Sequence, residues 1–194
     1  MRIRWPSRLL SRSFRDFPGN RRGVTAVEFG IVGVPFFMLL GALIEGAMLM
    51  VAQISFDNAL DRAARAVFTG TFQQGSNSSS PAIRLIQEMC RGATLFDCST
   101  DKIKIEVTAT ESSNTLVTCS PYDNVSQSIA TGFGKKFECP NGDDIVTICA
   151  IAAIPRYFPT SKLMLPPLPN NEQMIRSMVV FRAEPYAQGK CQAN

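Results

Sequence analysis

Six cysteines are the residues of this 194-residue chain whose type and placement point most directly to chemistry, and all of them lie beyond residue 89. An even number of cysteines confined to one part of a chain predicts disulfides formed in an oxidising compartment. Zinc binding is the alternative, but the chain has no Cys-x-x-Cys pair and no histidine. The six disulfide candidates are Cys90, Cys98, Cys119, Cys139, Cys149 and Cys191.

The pairing of these cysteines stays open at the level of sequence. Six cysteines allow about 15 pairings, and connectivity depends on the fold rather than on spacing. Our working guess joins neighbours along the chain, which gives 90–98, 119–139 and 149–191.

Groups that could perform catalysis are scarce. Without histidine the chain lacks the usual general base for a Ser or Cys nucleophile and the commonest transition-metal ligand. Asp143 and Asp144 are neighbouring carboxylates, but they follow Pro140-Asn141-Gly142, a sequence typical of a turn. No Gly-rich phosphate loop is visible. We therefore expect no enzyme, no metal site and no cofactor.

Positive charge is concentrated in the first 23 residues. This arm holds seven arginines and one acid, Asp16, so its net charge is +6, whereas the whole chain is +4. Nucleic-acid binding would use such charge, but no nucleic-acid recognition motif accompanies it, and we expect no nucleic-acid partner. Arginines next to an apolar segment follow the positive-inside rule, which keeps the arm cytoplasmic.

An apolar run follows the arm, from Phe29 to Ala52, with Glu45 as its single charge. As a helix at about 1.5 Å per residue, it is long enough to cross a hydrocarbon core of about 30 Å. A cleaved secretory signal is the alternative, but its apolar core is normally about 7–15 residues long and ends at a small-residue site. We therefore predict one transmembrane helix, with lipid as a partner and Glu45 past its midpoint, from where its side chain can reach toward water.

The junction between arm and apolar run is Arg21-Arg22-Gly23-Val24-Thr25-Ala26-Val27-Glu28-Phe29. It resembles the processing site of type IV prepilins, and in particular that of the TadE-like pseudopilins of the Tad (Flp) pilus system. The resemblance implies that a prepilin peptidase cuts between Gly23 and Val24. It also implies that Glu28 pairs with the Val24 ammonium of a neighbouring subunit. The alternative is that Glu28 only stabilises the positive end of its own helix.

Further residues resemble the TadE-like family over residues 21–70 and 174–186, about a third of the chain. The family has an aromatic after the glutamate (here Phe29), a proline in the span (Pro35) and a glutamate near its far end (Glu45). An Ala/Arg-rich extension (59–66) and a C-terminal Phe-Arg-Ala-Glu-Pro-Tyr pattern (181–186) also fit. The resemblance implies that Glu28, Phe29, Pro35 and Glu45 act in assembly. Pro35 as a simple kink and Glu45 as a side chain extended toward water are the alternatives.

Periodicity divides the chain into elements. One continuous helix from about Val24 to Phe68 is predicted, with a separate surface helix after the span as the alternative. Residues 73–80 read as a polar linker, and a helix follows with Ser80 as its N-cap, Pro81 in the first position and Gly92 after its end. Its buried stripe is predicted as Ile83, Ile86, Met89 and Cys90. Strands are predicted at 102–111, 144–154 and 174–183, with a fourth at 115–119.

These elements predict an α+β protein, a long N-terminal transmembrane helix followed by a small antiparallel-sheet outer domain with disulfides. We expect a cleaved leader (1–23), a transmembrane helix and stem (24–72) and a periplasmic domain (73–194). The expected partners are the prepilin peptidase, other pilins or pseudopilins and the Tad inner-membrane assembly platform. A permanent bitopic inner-membrane protein that binds an envelope partner is the alternative function.

Overall fold

The computed structural model describes residues 23–74, 80–92, 96–111, 118–157 and 166–186. Its first element is helix α1, which runs without interruption from Val24 to Phe68. The predicted continuous helix is therefore confirmed, and the alternative of a separate surface helix after the span is wrong. The basic arm, residues 1–22, lies outside the described residues.

The chain divides into two compact units, residues 1–43 and 44–194. In the second unit, α1 carries a stripe of buried apolar side chains at three- and four-residue steps, as expected for one face of a helix. This stripe joins the main core of the second unit. Its members include Ala52, Phe56, Leu60, Ala63 and Val67.

In the part of the chain that the structure describes, two short α-helices follow α1, and a 3-10 turn at Pro169–Asn171 precedes the last strand. Helix α2 covers Thr71–Gln74, and helix α3 covers Pro81–Met89 with Ser80 at its N-cap and Pro81 at its start, as predicted. The side chain of Gln73 is buried, so this residue does not belong to a polar linker, and residues 75–79 lie outside the described part of the chain.

The buried face of α3 differs in part from the prediction. Ile86 and Met89 are buried as expected, whereas Ile83 is exposed and Cys90 is half-buried. Leu85 and Arg84 are buried instead. Arg84 is accommodated because its guanidinium donates to the Phe72 carbonyl and lies over the Phe72 ring, 4.5 Å from its centroid.

Within the described ranges, six strands form two antiparallel sheets. The larger sheet has the order β1-β4-β6-β5, and the smaller one is the hairpin β2-β3. In chain order the strands are β1 (Ile103–Thr110), β2 (Tyr122–Asp123), β3 (Ser128–Ile129), β4 (Ile145–Pro155), β5 (Pro167–Leu168) and β6 (Glu172–Arg182).

Strands β1, β4 and β6 confirm three of the predicted strands to within two residues at each end. The expected fourth strand is not seen at Thr118 and Cys119, the part of 115–119 that the structure describes. The α+β class and the antiparallel sheet are confirmed.

Strand β4 is the centre of the fold. Nine consecutive residues, Val146 to Ile154, are buried, as expected for a strand covered on both faces. Val146, Ile148 and Ala150 belong to the core that includes α1 and α3. Cys149 and Ile151, on the other face, pack with residues that include Tyr122 and Ile129 of the hairpin.

Two disulfides are described. Cys90 pairs with Cys98, which confirms that part of the working guess. Cys119 pairs with Cys149, with Cα atoms 5.8 Å apart, so the guessed pairs 119–139 and 149–191 are both wrong. Connectivity follows the sheet, because Cys149 lies on the hairpin side of β4, where Cys119 leads into β2.

The remaining two cysteines differ in what can be described. Cys139 is also disulfide-bonded, and Cys191 lies outside the described residues. Each of the five described cysteines is therefore oxidised, and none of them is a thiol.

The segment after β6 fastens the end of α1 to the sheet domain. The backbone amide of Glu184 donates to the Phe68 carbonyl at 3.1 Å, and the backbone amide of Ala183 donates to the Asp144 backbone carbonyl at 2.8 Å. Gly70 has φ +76°, and a Cβ there would lie 2.7 Å from the Tyr186 ring, so both conformation and space require glycine. Residues 181–186, singled out in the sequence by family resemblance, thus have a structural role.

Tyr186 provides the polar part of this fastening. Its hydroxyl accepts a hydrogen bond from Gln73 Nε2 at 2.6 Å and donates to the Pro140 carbonyl at 3.3 Å. Burial, followed by the nearby Asp144 carboxylate, raises the pKa of Tyr186 above its usual 10.0, against the opposing effect of the Gln73 hydrogen bond.

We expect Tyr186→Phe to lower the free energy of unfolding by about 1–3 kcal/mol at neutral pH, because it removes a bond to the buried Gln73 amide. The wild-type chain should also lose stability as pH rises above 10, since the folded state holds the Tyr186 proton more tightly than the unfolded chain does. The variant should lack this part of the alkaline loss. Thermal unfolding of the purified chain between pH 7 and 11 measures both effects.

Tyr157→Phe is the matched control, because the Tyr157 side chain is largely exposed. Its unfolding curve should follow that of wild type across this pH range. Equal stability of Tyr186→Phe and wild type would show that the hydroxyl contributes nothing to the fastening.

Candidate functional site

The candidate site begins at Gly23, the residue that precedes α1. Gly23 is exposed, and α1 begins at the next residue, Val24. A Cβ added to Gly23 would meet no heavy atom of the described residues within 4 Å, and its φ is not in the left-handed region. Neither backbone conformation nor packing within the described chain therefore requires glycine here.

Glu28 and Phe29 lie about one turn into α1. Both side chains are exposed, Phe29 to 70%. The Phe29 ring lies against Gly33, where an added Cβ would be 3.6 Å from the ring. The start of α1 therefore carries an exposed carboxylate and an exposed aromatic ring at successive positions.

The next part of α1 is apolar and exposed. From Ile31 to Ile44, its large apolar side chains are all exposed. Helix α1 is long enough and apolar enough to cross a membrane, by length and composition. Because an apolar surface of this extent is unfavourable in water, this part of α1 is suited to lipid or to another apolar surface.

Pro35 lies inside this segment without ending the helix. Its side chain is exposed on the helix surface. A proline at this place removes one backbone hydrogen bond, which membrane helices tolerate when neighbouring groups compensate.

Glu45 differs from the other predicted site residues because it is buried, with 3% of its surface exposed. Its Oε1 accepts a hydrogen bond from the backbone amide of Tyr157, two residues after β4, at 3.1 Å. The side chain thus holds the end of β4 within the second unit, instead of extending toward water. Its predicted part in assembly stays a prediction.

The four predicted assembly residues are divided between the two units. Glu28, Phe29 and Pro35 lie on the exposed early part of α1 in the first unit, whereas Glu45 belongs to the second. Tyr157 and Gln173, which lie near Glu45 in the second unit, were missed by the sequence analysis. No local pattern signals them, since Tyr157 is 112 positions from Glu45.

Among the described residues, no group of three or more Cys, Asp or Glu side chains is placed to hold a metal ion. Asp143 and Asp144 lie at the turn before β4. The Asp144 carboxylate accepts a hydrogen bond from the backbone amide of Asn141 at 2.7 Å. This hydrogen bond gives Asp144 a structural role in the predicted turn.

Comparison with known proteins adds one finding. Residues 23–65 match the family model described as TadE-like protein. The chain carries a TadE-like segment. This segment begins at Gly23 and ends within α1, so it contains all four predicted assembly residues and none of the sheet domain. No curated protein and no solved structure matches the chain.

The TadE-like segment agrees with the resemblance seen at the level of sequence over residues 21–70. The C-terminal resemblance at 174–186 lies outside the match.

Proposed function

We propose that the chain is a TadE-like minor pilin or pseudopilin, cut by a prepilin peptidase and needed for assembly of Tad (Flp) type IVb pili. One coincidence carries this proposal. The TadE-like match begins at Gly23, α1 begins at Val24, and Glu28 and the exposed apolar surface follow at once.

The surroundings of Gly23 support processing at this bond. Gly23 is exposed, and nothing in the described residues lies within 4 Å of a Cβ added there, so the bond after it is accessible. A peptidase that receives an extended backbone in a tight site would favour the small residue found here. Cleavage would leave Val24 as a new, positively charged amino terminus one turn before Glu28.

The apolar surface of α1 supports a structural role without catalysis. Before assembly it would hold the protein in the bacterial inner membrane, and afterwards it would face other pilin helices. The sheet domain of the second unit is bulky, whereas major subunits of this system are far shorter. A minor or accessory subunit is therefore the better fit.

The arginine arm and the single span predict the topology. We expect residues 1–22 in the cytoplasm and the disulfide-bonded domain in the periplasm, because positive residues stay on the cytoplasmic side. Alkaline phosphatase fused after Asn194 should be active, since it needs the periplasm to fold. A cytoplasmic reporter that is active at the same position would contradict this orientation.

A strain without this protein tests the function itself. We expect it to produce few or no Tad pili by electron microscopy, and a plasmid copy of the full chain should restore them. Peptide mass spectrometry of sheared pili then locates the protein in the filament or at its base. Normal piliation of the deletion strain would reject the proposed function.

A permanent bitopic inner-membrane protein is the second candidate, with a periplasmic domain that binds an envelope partner. One observation favours this candidate: after Ile44, one face of α1 packs into the core of the second unit. A permanent membrane anchor would be fixed to its own domain in this way. The two candidates differ in one property, since only the pilin loses residues 1–23.

A further inference from the structure

Strand β6 has an open edge in the described part of the chain. On one side it pairs with β4 over its whole length, but on the other side β5 pairs only with Glu172 and Gln173. Over residues 175–182 this second side has no partner strand among the described residues, and we refer to it as the β6 edge. An open edge is a template for one more strand.

Backbone hydrogen bonds show which groups the β6 edge presents. The amide of Met174 donates to the Pro166 carbonyl beside β5 at 3.2 Å, and the Arg176 carbonyl accepts from a glutamine side chain of α1 at 2.9 Å. In an antiparallel strand, alternate residues direct both backbone groups to the same side. The amides and carbonyls of Met178 and Val180 therefore also point away from β4, and no backbone partner for them is seen within the described ranges.

Two cavities flank the β6 edge, one on each face of the sheet. On the face that packs against α1, a cavity of about 260 Å³ has a mainly apolar wall that includes Phe68, Val179 and Phe181. On the face that carries the β2-β3 hairpin, a cavity of about 430 Å³ lies beside Arg176 and Met178. A strand added at the edge would point its side chains alternately to the two faces, so each cavity would receive one set of them.

Arg176 determines the charge that suits the hairpin face. Its side chain is exposed and makes no ion pair among the described residues. It is the only charged residue that lines the cavity of about 430 Å³ or the neighbouring cavity of about 590 Å³ within the described ranges. Met178 and Val180, on the same face, are 45% and 53% exposed. This face of the edge is thus apolar with one positive end, which fits an apolar strand that carries an acid.

Neither a second copy of β6 nor another part of the chain fits as well. A two-fold axis at Val179 would pair the exposed apolar residues of the edge, but it would also set Arg176 opposite Arg182 of the second copy. Like charges placed opposite each other are destabilising. Outside the described ranges the chain has one acid, Asp16, which lies in the arginine-rich arm. A partner with the matching charge must therefore come from another protein.

We propose that the β6 edge binds an extended segment of a partner protein as one more antiparallel strand, the arrangement of the strands around it. Apolar side chains opposite Val179 and Phe181 would enter the cavity beside α1, and an acid opposite Arg176 would lie on the hairpin face. Counted along the partner from the residue opposite Phe181, this gives the pattern apolar-x-apolar-x-x-acid. The inference uses residues of the second unit only and does not rest on the proposed function.

Fluorescence anisotropy of a labelled peptide, Ser-Val-Thr-Val-Thr-Thr-Glu-Ser, with the full chain in mild detergent tests the charge. Wild type should bind one peptide per chain, and a peptide with lysine in place of the glutamate should bind about tenfold more weakly. Arg176→Glu should prefer the lysine peptide. Lys135→Glu makes the same charge reversal at an exposed position that lines none of these cavities, and it should keep the wild-type preference.

Val180→Pro tests the backbone pairing. The Val180 amide points away from β4, so proline removes a hydrogen bond to the partner strand and none within the sheet. This variant should bind the glutamate peptide about tenfold more weakly, whereas Val180→Thr, which keeps the amide, should bind it as wild type does. In wild type, the bound peptide should slow hydrogen exchange of the backbone amides over residues 175–182.

Three results would overturn the proposal: no binding of the glutamate peptide to wild type, an unchanged preference in Arg176→Glu, or unchanged hydrogen exchange over 175–182 with the peptide bound. Slow exchange of the Met178 and Val180 amides in the free chain would also overturn it. That result would assign the edge to the same chain in a monomer and to a second copy in a dimer. Cleavage at Gly23 and piliation are separate measurements, and their failure would reject the proposed function while the edge still binds the peptide.

Discussion

Glu28→Gln is expected to leave cells with few or no pili, while the protein is still cut after Gly23 and still forms its disulfides. Glu28 is exposed on α1 and lies far along the chain from the sheet domain, so its charge has no part in that core. In lipid, the carboxylate is costly unless it pairs with the Val24 ammonium of a neighbouring subunit. Losing one member of such a pair costs a few kcal/mol, which shifts assembly about a hundredfold or more.

Pilus counts by electron microscopy, together with co-purification of partner pilins, measure this effect. Asp61→Asn is the matched control, because it also removes one negative charge from an exposed position on α1. Asp61→Asn should assemble normally. If Glu28→Gln cells have wild-type pilus numbers and wild-type co-purification, Glu28 has no role in assembly and is only a surface charge on its helix.

Gly23→Leu should block processing and leave the full-length chain in the membrane. A leucine side chain meets no described neighbour at this position, so the folded protein has no reason to reject it. The proposed prepilin peptidase must receive the backbone in a narrow site, so it should reject the leucine side chain. Immunoblots of membrane fractions should therefore show the uncut form in place of the mature one.

Gly30→Leu is the control for this variant. Gly30 also has open space around its Cβ position, and it lies on the same helix beyond the proposed cut. This variant should be cut as wild type is. Equal trimming of Gly23→Leu and wild type would show that the prepilin interpretation of the junction is wrong.

The sequence was sufficient for the elements that have a long periodic pattern. Helix α1 combines an apolar run with a three- and four-residue stripe as far as Val67, and its predicted bounds match those observed. Strand β1 alternates, and β4 is apolar throughout, so both were located to within one residue at each end. Strands β2, β3 and β5 are two residues long, too short for any period to be visible.

Features that depend on contacts between distant parts of the chain could not be predicted from the sequence. The Cys119–Cys149 pair is fixed by where β4 and the hairpin meet. Glu45 looked like a charge at the end of a membrane span, and only the folded chain places the Tyr157 amide beside it. Gln173 is an ordinary strand residue by sequence, and only the folded chain shows that its amide is buried without a hydrogen-bond partner among the described residues.

The mass of the intact protein, extracted from the membranes of cells that make pili, tests the central claim most directly. Cleavage between Gly23 and Val24 predicts a single mature species that lacks residues 1–23 and begins at Val24. A full-length chain in piliated cells, or a chain cut beyond the apolar run, would contradict the assignment as a processed TadE-like pilin.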